Sequence, residues 1–174
     1  MPKSHRKPKS RKRQKVIISP RSEYPVIRVF DSWKRLNQSK KKVVYFIRGD
    51  KPVKYRRGKR SRILYIGSTE RNAKRPFESL RDRAEKLFEE RGIRSLDVVY
   101  IEARGRKRLE KLEEMLEDAC LYQFRNYYGL VPTGNIAGSE RLPLDNDVRR
   151  ARAKRYFNFD RIEEVLRQLS EVES

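Results

Sequence analysis

ILYIGST, residues 63 to 69, passes from β-branched and aromatic residues into Gly67 and two small hydroxyl residues. This composition is typical of a β-strand and its end. Segments on either side of this stretch have the same strand-like character. The three predicted strands are KVVYFIR (42–48), RILYIG (62–67) and LDVVYIE (96–102).

Apolar residues at helical spacing predict the elements between and after the strands. The first helix covers residues 74–91 and ends near Gly92, and the longest helix begins near Gly105 and is capped by Gly129. The apolar stripe of the first consists of Phe77, Leu80, Ala84, Leu87 and Phe88, and that of the second of Leu109, Leu112, Leu116, Ala119, Cys120, Gln123 and Tyr127. We therefore predict an α+β fold, in which a small three-stranded antiparallel sheet is flanked by helices.

The chain divides into four predicted parts. Residues 1–15 form a basic flexible arm, and residues 16–41 an N-terminal extension with short β-prone pieces and a helix around Trp33. Residues 42–138 form the central domain. Residues 139–174 form a C-terminal extension, in which a polar bridge precedes a final amphipathic helix that opens at a capping box of Asp160 and Glu163. That helix either supplies a dimer interface or caps its own domain.

The charge of the chain is strongly positive, with 45 basic and 24 acidic residues and a net charge of +21. The first 15 residues carry eight of the cations and no acid, so they are expected to be disordered when alone. Without them the remainder still has 37 basic residues against 24 acidic ones. A polyanion is the expected partner of both the arm and the folded part.

The segment GDKPVKYRRGKRS, between the first two strands, is predicted to be a long hairpin loop because it contains Gly49, Pro52 and Gly58. Its cations make it a candidate DNA contact, and the alternative is a solvated, charged hairpin tip. The candidate DNA-binding residues are Lys51, Lys54, Arg56, Arg57, Lys59 and Arg60.

Several classes of protein are excluded by composition and motif. No apolar run has the length of a membrane span and no signal-peptide core is present, so a cytoplasmic, nucleic-acid-associated protein is expected. Cys120 is the only cysteine and is expected to be a small buried residue. The motifs of nucleotide-binding loops, dinucleotide folds, zinc proteases and serine hydrolases are missing. His5, in the arm, is the only histidine, which excludes catalysis by a histidine of the folded core.

The remaining chemical groups occur in a suggestive order along the chain. Tyr45 lies in the first strand, Tyr65 precedes Gly67 in the second, and Arg75 falls in the first turn of the next helix. Glu117 lies at the edge of the apolar stripe of the long helix, and Asn135 lies in a glycine-rich loop. Each has a simpler explanation alone: core packing for the tyrosines, a solvated ion pair for the glutamate, and loop stabilisation for the asparagine.

Together these residues resemble the GIY-YIG nuclease family over about residues 42–138. VVY at 43–45 stands where that family has Gly-Ile-Tyr, and YIG at 65–67 matches its second half. The spacing to Arg75, the run EDACLYQF from Glu117 and the run PTGN ending at Asn135 also match. The resemblance implies a catalytic set of Tyr45, Tyr65, Arg75, Glu117 and Asn135.

The resemblance also implies a role for most of these residues in phosphodiester hydrolysis. Glu117 would hold a single Mg²⁺, or Mn²⁺, whose remaining ligands are mostly water. Arg75 would bind a non-bridging phosphate oxygen through its fork of donors. Tyr45 would activate water, with nearby cations or the metal favouring its phenolate form, and Tyr65 would orient water or phosphate.

Three positions depart from the family pattern or leave its assignment open. Val43 replaces the first glycine, which removes no chemical group. Ser79 stands where many members carry a histidine one turn after the helix arginine, so the role of the base depends more on tyrosine, with Lys74 as a possible helper. Glu113 lies one turn before Glu117 and is the alternative metal ligand.

The basic hairpin resembles that of the restriction-endonuclease branch of the family, and about 35 residues after Gly138 are too few for a separate recognition domain. A stand-alone, restriction-like enzyme that cuts double-stranded DNA is therefore expected, and a homodimer would address both strands. The alternatives are a homing or structure-specific repair nuclease of the same family, and a non-catalytic DNA- or RNA-binding protein.

Overall fold

The computed structural model of the protein describes residues 42–70, 74–103, 111–135 and 147–171. The predictions for the arm, for the extension around Trp33 and for Leu109 lie outside these residues. The described strands are β1 (Val43–Lys54), β2 (Arg60–Thr69) and β3 (Leu96–Glu102), and the described helices are α1 (Lys74–Arg91), α2 (Leu112–Tyr128), α3 (Asp147–Tyr156) and α4 (Phe159–Ser170). Within these ranges no helix combines the length and apolar composition that a membrane crossing requires.

The three strands form one antiparallel sheet in the order β2-β1-β3, as predicted. In the register of this sheet, Tyr45 of the central strand lies between Gly67 of β2 and Tyr100 of β3. Alternate residues of β1 point to opposite faces, and both faces are buried. This explains why the strand sequences are apolar almost throughout rather than alternating.

Each face of the sheet packs against its own helices. On one face Tyr45 and Ile47 pack with Leu64 of β2 and with Ala84 and Leu87 of α1. The apolar cluster on the other face is formed with α2, α3 and α4, and its fully buried members include Val44, Phe46, Ile63, Ile66, Ala119 and Phe124. Cys120 belongs to this second cluster and is buried, as expected.

The connection between β1 and β2 is shorter than the predicted 13-residue loop. Both strands continue into it, so that Lys54 pairs with Arg60 and the connection is only residues 55–59, with a 3₁₀ turn at Arg56–Gly58. A register shift between Arg48 and Val53 accommodates Pro52, which has no N–H to donate to the ladder. Gly49 and Pro52 therefore lie at a bulge within β1 and not at the end of the strand.

Three further predictions, all about helices, are corrected by the structure. The described part of α2 starts at Leu112, after Lys111 in a left-handed conformation, and not near Gly105. α3 lies in the segment that was predicted to be only a polar bridge. The cap of α4 is Asn158, whose side chain accepts a hydrogen bond from the Arg161 N–H, and not Asp160. The predicted C-terminal turns at Gly92 and Gly129 both have positive φ, as glycine permits.

The apolar face of α4 is buried within its own chain. Ile162 and Leu166 belong to the cluster that α2 and the sheet form, and Ser170 at the end of the helix hydrogen-bonds to Ser61 of β2. Of the two interpretations of this helix, the structure therefore shows the one in which it caps its own domain.

A buried ion pair joins β1 to β3. The guanidinium of Arg48 donates to both carboxylate oxygens of Asp97, at 2.9 and 2.7 Å, and both residues are buried. Arg48 also donates to the carbonyl of Leu169 in α4, at 3.4 Å. This pair was not predicted from the sequence, because two residues 49 positions apart meet only through strand pairing.

Candidate active site

Tyr45 and Tyr65 lie on adjacent strands with their ring centres 5.9 Å apart. Tyr45 is fully buried, and its hydroxyl is 3.0 Å from the hydroxyl of Ser79 on α1. A methyl group placed on Gly67 would lie 2.6 Å from the Tyr45 hydroxyl oxygen, closer than packing allows. The phenol of Tyr45 therefore occupies space that is open only because its cross-strand neighbour is glycine.

The surroundings of Tyr45 hold its phenol in the neutral form. Burial raises the pKa of this side chain above its usual value of 10, and the nearby Tyr65 and Glu117 raise it further, while the hydrogen bond with Ser79 acts in the opposite direction. The expectation that surrounding cations would lower this pKa is therefore not met by the described residues. Ionisation of Tyr45 needs positive charge brought next to it.

Glu117 reaches the same region from α2. Its carboxylate accepts a hydrogen bond of 2.5 Å from the hydroxyl of Ser68, the residue that follows Gly67 in β2. The alternative metal ligand, Glu113, is only 2% exposed and forms an ion pair with Lys42, with 3.4 Å between Nζ and Oε2. Glu117 is near enough to Tyr45 to raise its pKa, whereas Glu113 is buried beside Lys42.

Asn135 attaches a 3₁₀ turn (Thr133–Asn135) to the outer edge of β2. Its Oδ1 accepts from the backbone N–H of Ile66 at 2.9 Å, and its Nδ2 donates to the Ile66 carbonyl at 2.8 Å. The side chain thus continues the hydrogen bonding of the sheet at its edge strand, between Tyr65 and Gly67. This geometry favours a positioning role, as in the loop-stabilising interpretation, over direct chemistry.

Arg83 connects three parts of this region and was missed in the sequence analysis. Its guanidinium lies 4.3 Å from the centre of the Tyr65 ring. It also donates to the backbone carbonyls of Gly134, at 3.1 Å, and Ser79, at 3.3 Å. The available signal was helical spacing, because Arg83 follows Ser79 by four residues and so shares its face of α1.

Arg75 and Lys74 lie in the first turn of α1, where the sequence placed them. Their side chains are outside the described part of the structure. Position 75 precedes Ser79 by one helical turn, and the Ser79 side chain contacts Tyr45. The described groups at the site are the two phenols, the hydroxyls of Ser68 and Ser79, the guanidinium of Arg83, the carboxylate of Glu117 and the amide of Asn135.

Comparisons with protein-family models, with curated proteins and with solved structures found no match. The likeness to GIY-YIG nucleases remains a resemblance of residues and their order.

The predicted DNA-binding residues do not all lie together. Lys54, Arg56, Lys59 and Arg60 meet at the hairpin tip, while the Lys51 ammonium lies next to Gly92 at the end of α1. The side chain of Arg57 is outside the described residues. The tip is at the opposite end of β2 from Gly67, so these cations do not line the tyrosine pair.

A metal site here would contain few protein ligands. The described residues include no group of three or more histidines, cysteines and acids that could hold a metal ion. Glu117, with a hydroxyl as its neighbour, matches the donor chemistry of Mg²⁺, which is often bound by one or two carboxylates, with water and substrate phosphate filling the remaining positions. The residues present therefore fit such an ion, with Glu117 as its protein ligand.

Proposed function

We propose that the protein is a metal-dependent DNA endonuclease of the GIY-YIG type, which hydrolyses phosphodiester bonds in double-stranded DNA. One observation carries the proposal: two tyrosines from β1 and β2 and a carboxylate from α2 lie around Gly67 and Ser68 of β2, although they are up to 72 positions apart in the sequence. A protein that only binds nucleic acid gains nothing from a carboxylate there, because a carboxylate facing phosphate opposes binding unless a cation lies between them.

In the proposed reaction, a water molecule attacks phosphorus and gives a proton to Tyr45 in its phenolate form, the P–O ester bond breaks, and the leaving oxygen takes up a proton from solvent. The Tyr45 hydroxyl accepts a hydrogen bond from that water, and Ser79 fixes the direction of the phenol. Because burial keeps this phenol neutral, its action as a base requires a positive charge beside it, which lowers its pKa. Arg75, through the resemblance, is the residue that we assign to bind the phosphate and supply this charge.

Tyr65 and Asn135 have supporting roles in this proposal. Arg83 packs on one face of the Tyr65 ring and limits where its hydroxyl can point, so that it can orient water or phosphate. Asn135 holds the backbone of β2 between the two site residues Tyr65 and Gly67. Glu117 would hold Mg²⁺ or Mn²⁺, which when bound supplies charge neutralisation at the phosphate.

Cleavage of supercoiled plasmid tests the proposal, with the wild-type protein compared in Mg²⁺ and in EDTA. Glu117→Gln is expected to lower the cleavage rate by about 100-fold or more, because a metal at phosphate contributes several kcal/mol. Glu114→Gln is the matched control: it lies on the same helix, is exposed, and pairs only with Lys111 in the described contacts.

Metal-dependent cleavage that is lost in Glu117→Gln and kept in Glu114→Gln supports the enzyme. Binding without cleavage on linear, supercoiled and branched DNA would instead favour a non-catalytic nucleic-acid-binding protein. Within the family, a restriction-like enzyme is our preferred assignment over a homing or repair nuclease, and cleavage at one defined duplex sequence is the result that distinguishes it.

A further inference from the structure

The tip of the β1–β2 hairpin presents a dense group of cations. From Lys54 to Arg60 the sequence contains five basic residues and no acidic one. Lys54 and Arg60 are cross-strand partners, and both are exposed. Arg56 lies in the turn between them and is also exposed. Charges of one sign held this close on a short hairpin repel each other, so an anion bound there would stabilise the tip.

The tip is fixed to the body of the protein by Tyr55. This residue is buried, and its hydroxyl donates to the Ile63 carbonyl at 2.8 Å. Its ring lies 5.1 Å from the ring of Phe124 and 5.7 Å from that of Tyr128, centre to centre, both on α2. The hairpin therefore ends on the C-terminal part of α2 instead of projecting freely into solvent.

Lys59 and Arg167 attach the same tip to α2 and α4. The ammonium of Lys59 lies 3.1 Å from the centre of the Tyr127 ring, and the guanidinium of Arg167 lies 5.8 Å from it. Cations from the hairpin and from α4 thus meet on one aromatic residue of α2. Arg167 of α4 therefore lies beside the cations of the tip.

The tip and the candidate active site share one connecting turn. At one end of the turn, the N–H and hydroxyl of Thr133 lie 3.3 Å from the Tyr55 hydroxyl. At its other end, Asn135 is bonded to Ile66, between the site residues. The spacing between tip and site is therefore set by a short, hydrogen-bonded segment.

Two elements give the size of that spacing. Glu117 and Tyr127 are ten residues apart on α2, which corresponds to about 15 Å at ~1.5 Å per residue. Arg60 and Gly67 are seven residues apart on β2, which corresponds to about 23 Å at ~3.3 Å per residue. These lengths equal about four to seven base pairs of duplex DNA at ~3.4 Å each.

We infer that the hairpin tip is a second DNA contact, which binds the phosphate backbone of a duplex about four to seven base pairs from the phosphodiester held at the tyrosine pair. The position relative to the scissile bond depends on the proposed function, whereas binding of DNA at the tip does not. The tip then sets a minimum length for the substrate: duplex must extend about half a helical turn to one side of the cut.

Duplex DNA is the occupant that the surface favours. The large aromatic side chain of the tip, Tyr55, is buried, and the exposed described residues there are cations and Gly58. A membrane-binding tip would be expected to expose apolar or aromatic side chains to the lipid. Exposed Lys and Arg side chains without apolar neighbours instead suit the phosphate backbone of a nucleic acid.

Binding in EDTA, measured by fluorescence anisotropy over a range of salt concentrations, tests this inference without requiring cleavage. The tip variant is Arg56→Gln with Arg60→Gln. The matched control is Arg152→Gln with Arg155→Gln, two exposed arginines of α3. Loss of two phosphate contacts is expected to lower the slope of log affinity against log salt by about 1.8 in the tip variant. The control variant is expected to change the slope much less.

Duplexes shortened on one side provide the second measurement. The wild-type protein is expected to lose affinity once the duplex falls below about half a turn, and the tip variant to lose little, because its contact is already gone. Equal slopes for the tip and control variants, or an equal effect of length on wild type and tip variant, would overturn the inference. So would a tip variant that weakens binding to duplex RNA but not to duplex DNA.

The two proposals can fail separately. If the protein binds DNA as expected in EDTA but does not cut DNA in Mg²⁺, the inferred tip contact stands and the proposed nuclease activity is wrong. If the protein cuts DNA normally but the tip variant shows no change in DNA affinity or its salt dependence, the proposed nuclease activity stands and the inferred tip contact is wrong.

Discussion

Tyr45 is the residue on which the chemistry of the site most depends. Its hydroxyl fills the space next to Gly67, contacts Ser79, and is the phenol on which both Tyr65 and Glu117 act. Such a group, buried and surrounded by other functional side chains, is typical of a catalytic site, although a purely structural tyrosine would have a similar environment. Removing the Tyr45 hydroxyl distinguishes a catalytic role from a structural one.

Tyr45→Phe is expected to abolish DNA cleavage and to leave DNA affinity nearly unchanged, because only the hydroxyl that contacts the water is lost. Loss of a group that assists proton transfer costs about 100- to 10,000-fold in rate. Tyr100→Phe is the control, since Tyr100 is the cross-strand neighbour of Tyr45 on β3. Normal cleavage by Tyr45→Phe would show that the assignment of this phenol to water activation is wrong.

The buried tyrosines also predict how stability depends on pH. Burial raises the pKa of Tyr45, Tyr55 and Tyr128 in the folded protein. Above pH ~10 the unfolded chain releases these protons while the folded chain keeps them, so the free energy of unfolding falls as pH rises. The contribution is complete below the unfolded pKa and is lost as pH rises towards the folded pKa.

Urea unfolding between about pH 9 and 11 measures this effect. Tyr45→Phe is expected to make the decline with pH shallower, by up to about 1.4 kcal/mol per pH unit for the one proton removed. Tyr122→Phe is the control, because hydrogen bonds from Asn126 and Arg150 lower the pKa of Tyr122 and its contribution has the opposite sign. A decline with pH that is unchanged by Tyr45→Phe would contradict the burial of its hydroxyl.

At the scale of the site, the sequence predicted that the tyrosines, Glu117 and Asn135 belong together, because their residue types and order carry the resemblance, and the structure places all four around residues 65–68 of β2. It did not identify Ser68 or Arg83, whose side chains act only through contacts made in three dimensions. It also could not decide between Glu113 and Glu117, since both lie on one face of α2. Glu113 is buried beside Lys42, whereas Glu117 is partly exposed, which favours Glu117.

At the scale of the element, strands and helices with a strong apolar pattern were predicted well. The bounds of α1 and β3 agree with the prediction, and Gly129 ends α2. The length of the hairpin loop was predicted wrongly because Pro52 and Gly49 were taken as loop residues. Burial on both faces instead keeps the backbone extended around a bulge. Helix α3 was not predicted because its basic sequence has no apolar stripe. Its buried contact with the second cluster is made by Ala153.

The Arg48–Asp97 pair gives the sharpest test of how the sheet is held together. Arg48→Met leaves the buried Asp97 carboxylate without its partner, so it is expected to lower the free energy of unfolding by about 3–5 kcal/mol. Arg81→Met is the control, because Arg81 pairs with Asp82 on the exposed face of α1. A surface pair of this kind contributes under about 1 kcal/mol.

Chemical denaturation of both variants measures the difference. Similar, small losses for Arg48→Met and Arg81→Met would show that Asp97 is solvated or differently paired. Arg48→Met together with Asp97→Leu is expected to recover much of the lost stability, since both charges are then removed from the core.

At the scale of the whole molecule, a two-fold dimer of a one-site enzyme would address both strands of a duplex together. We therefore predict a homodimer on DNA. The apolar face of α4 is buried in its own chain and is not available as the interface. Sedimentation with a short duplex is expected to give two chains per duplex, and plasmid cleavage to give linear product with little nicked intermediate. One chain per duplex, with accumulation of nicked circles, would contradict this prediction.

The central claim is that groups brought together at the end of β2 hydrolyse a phosphodiester bond. The most direct test forms the protein–DNA complex in the absence of divalent metal, with protein in excess, and then follows cleavage of an end-labelled duplex after addition of Mg²⁺. We predict single-turnover cleavage by the wild type and by Glu114→Gln, and a rate at least about 100-fold lower for Glu117→Gln at equal DNA occupancy. A wild-type complex that does not cut, or a Glu117→Gln complex that cuts at the wild-type rate, would contradict the claim.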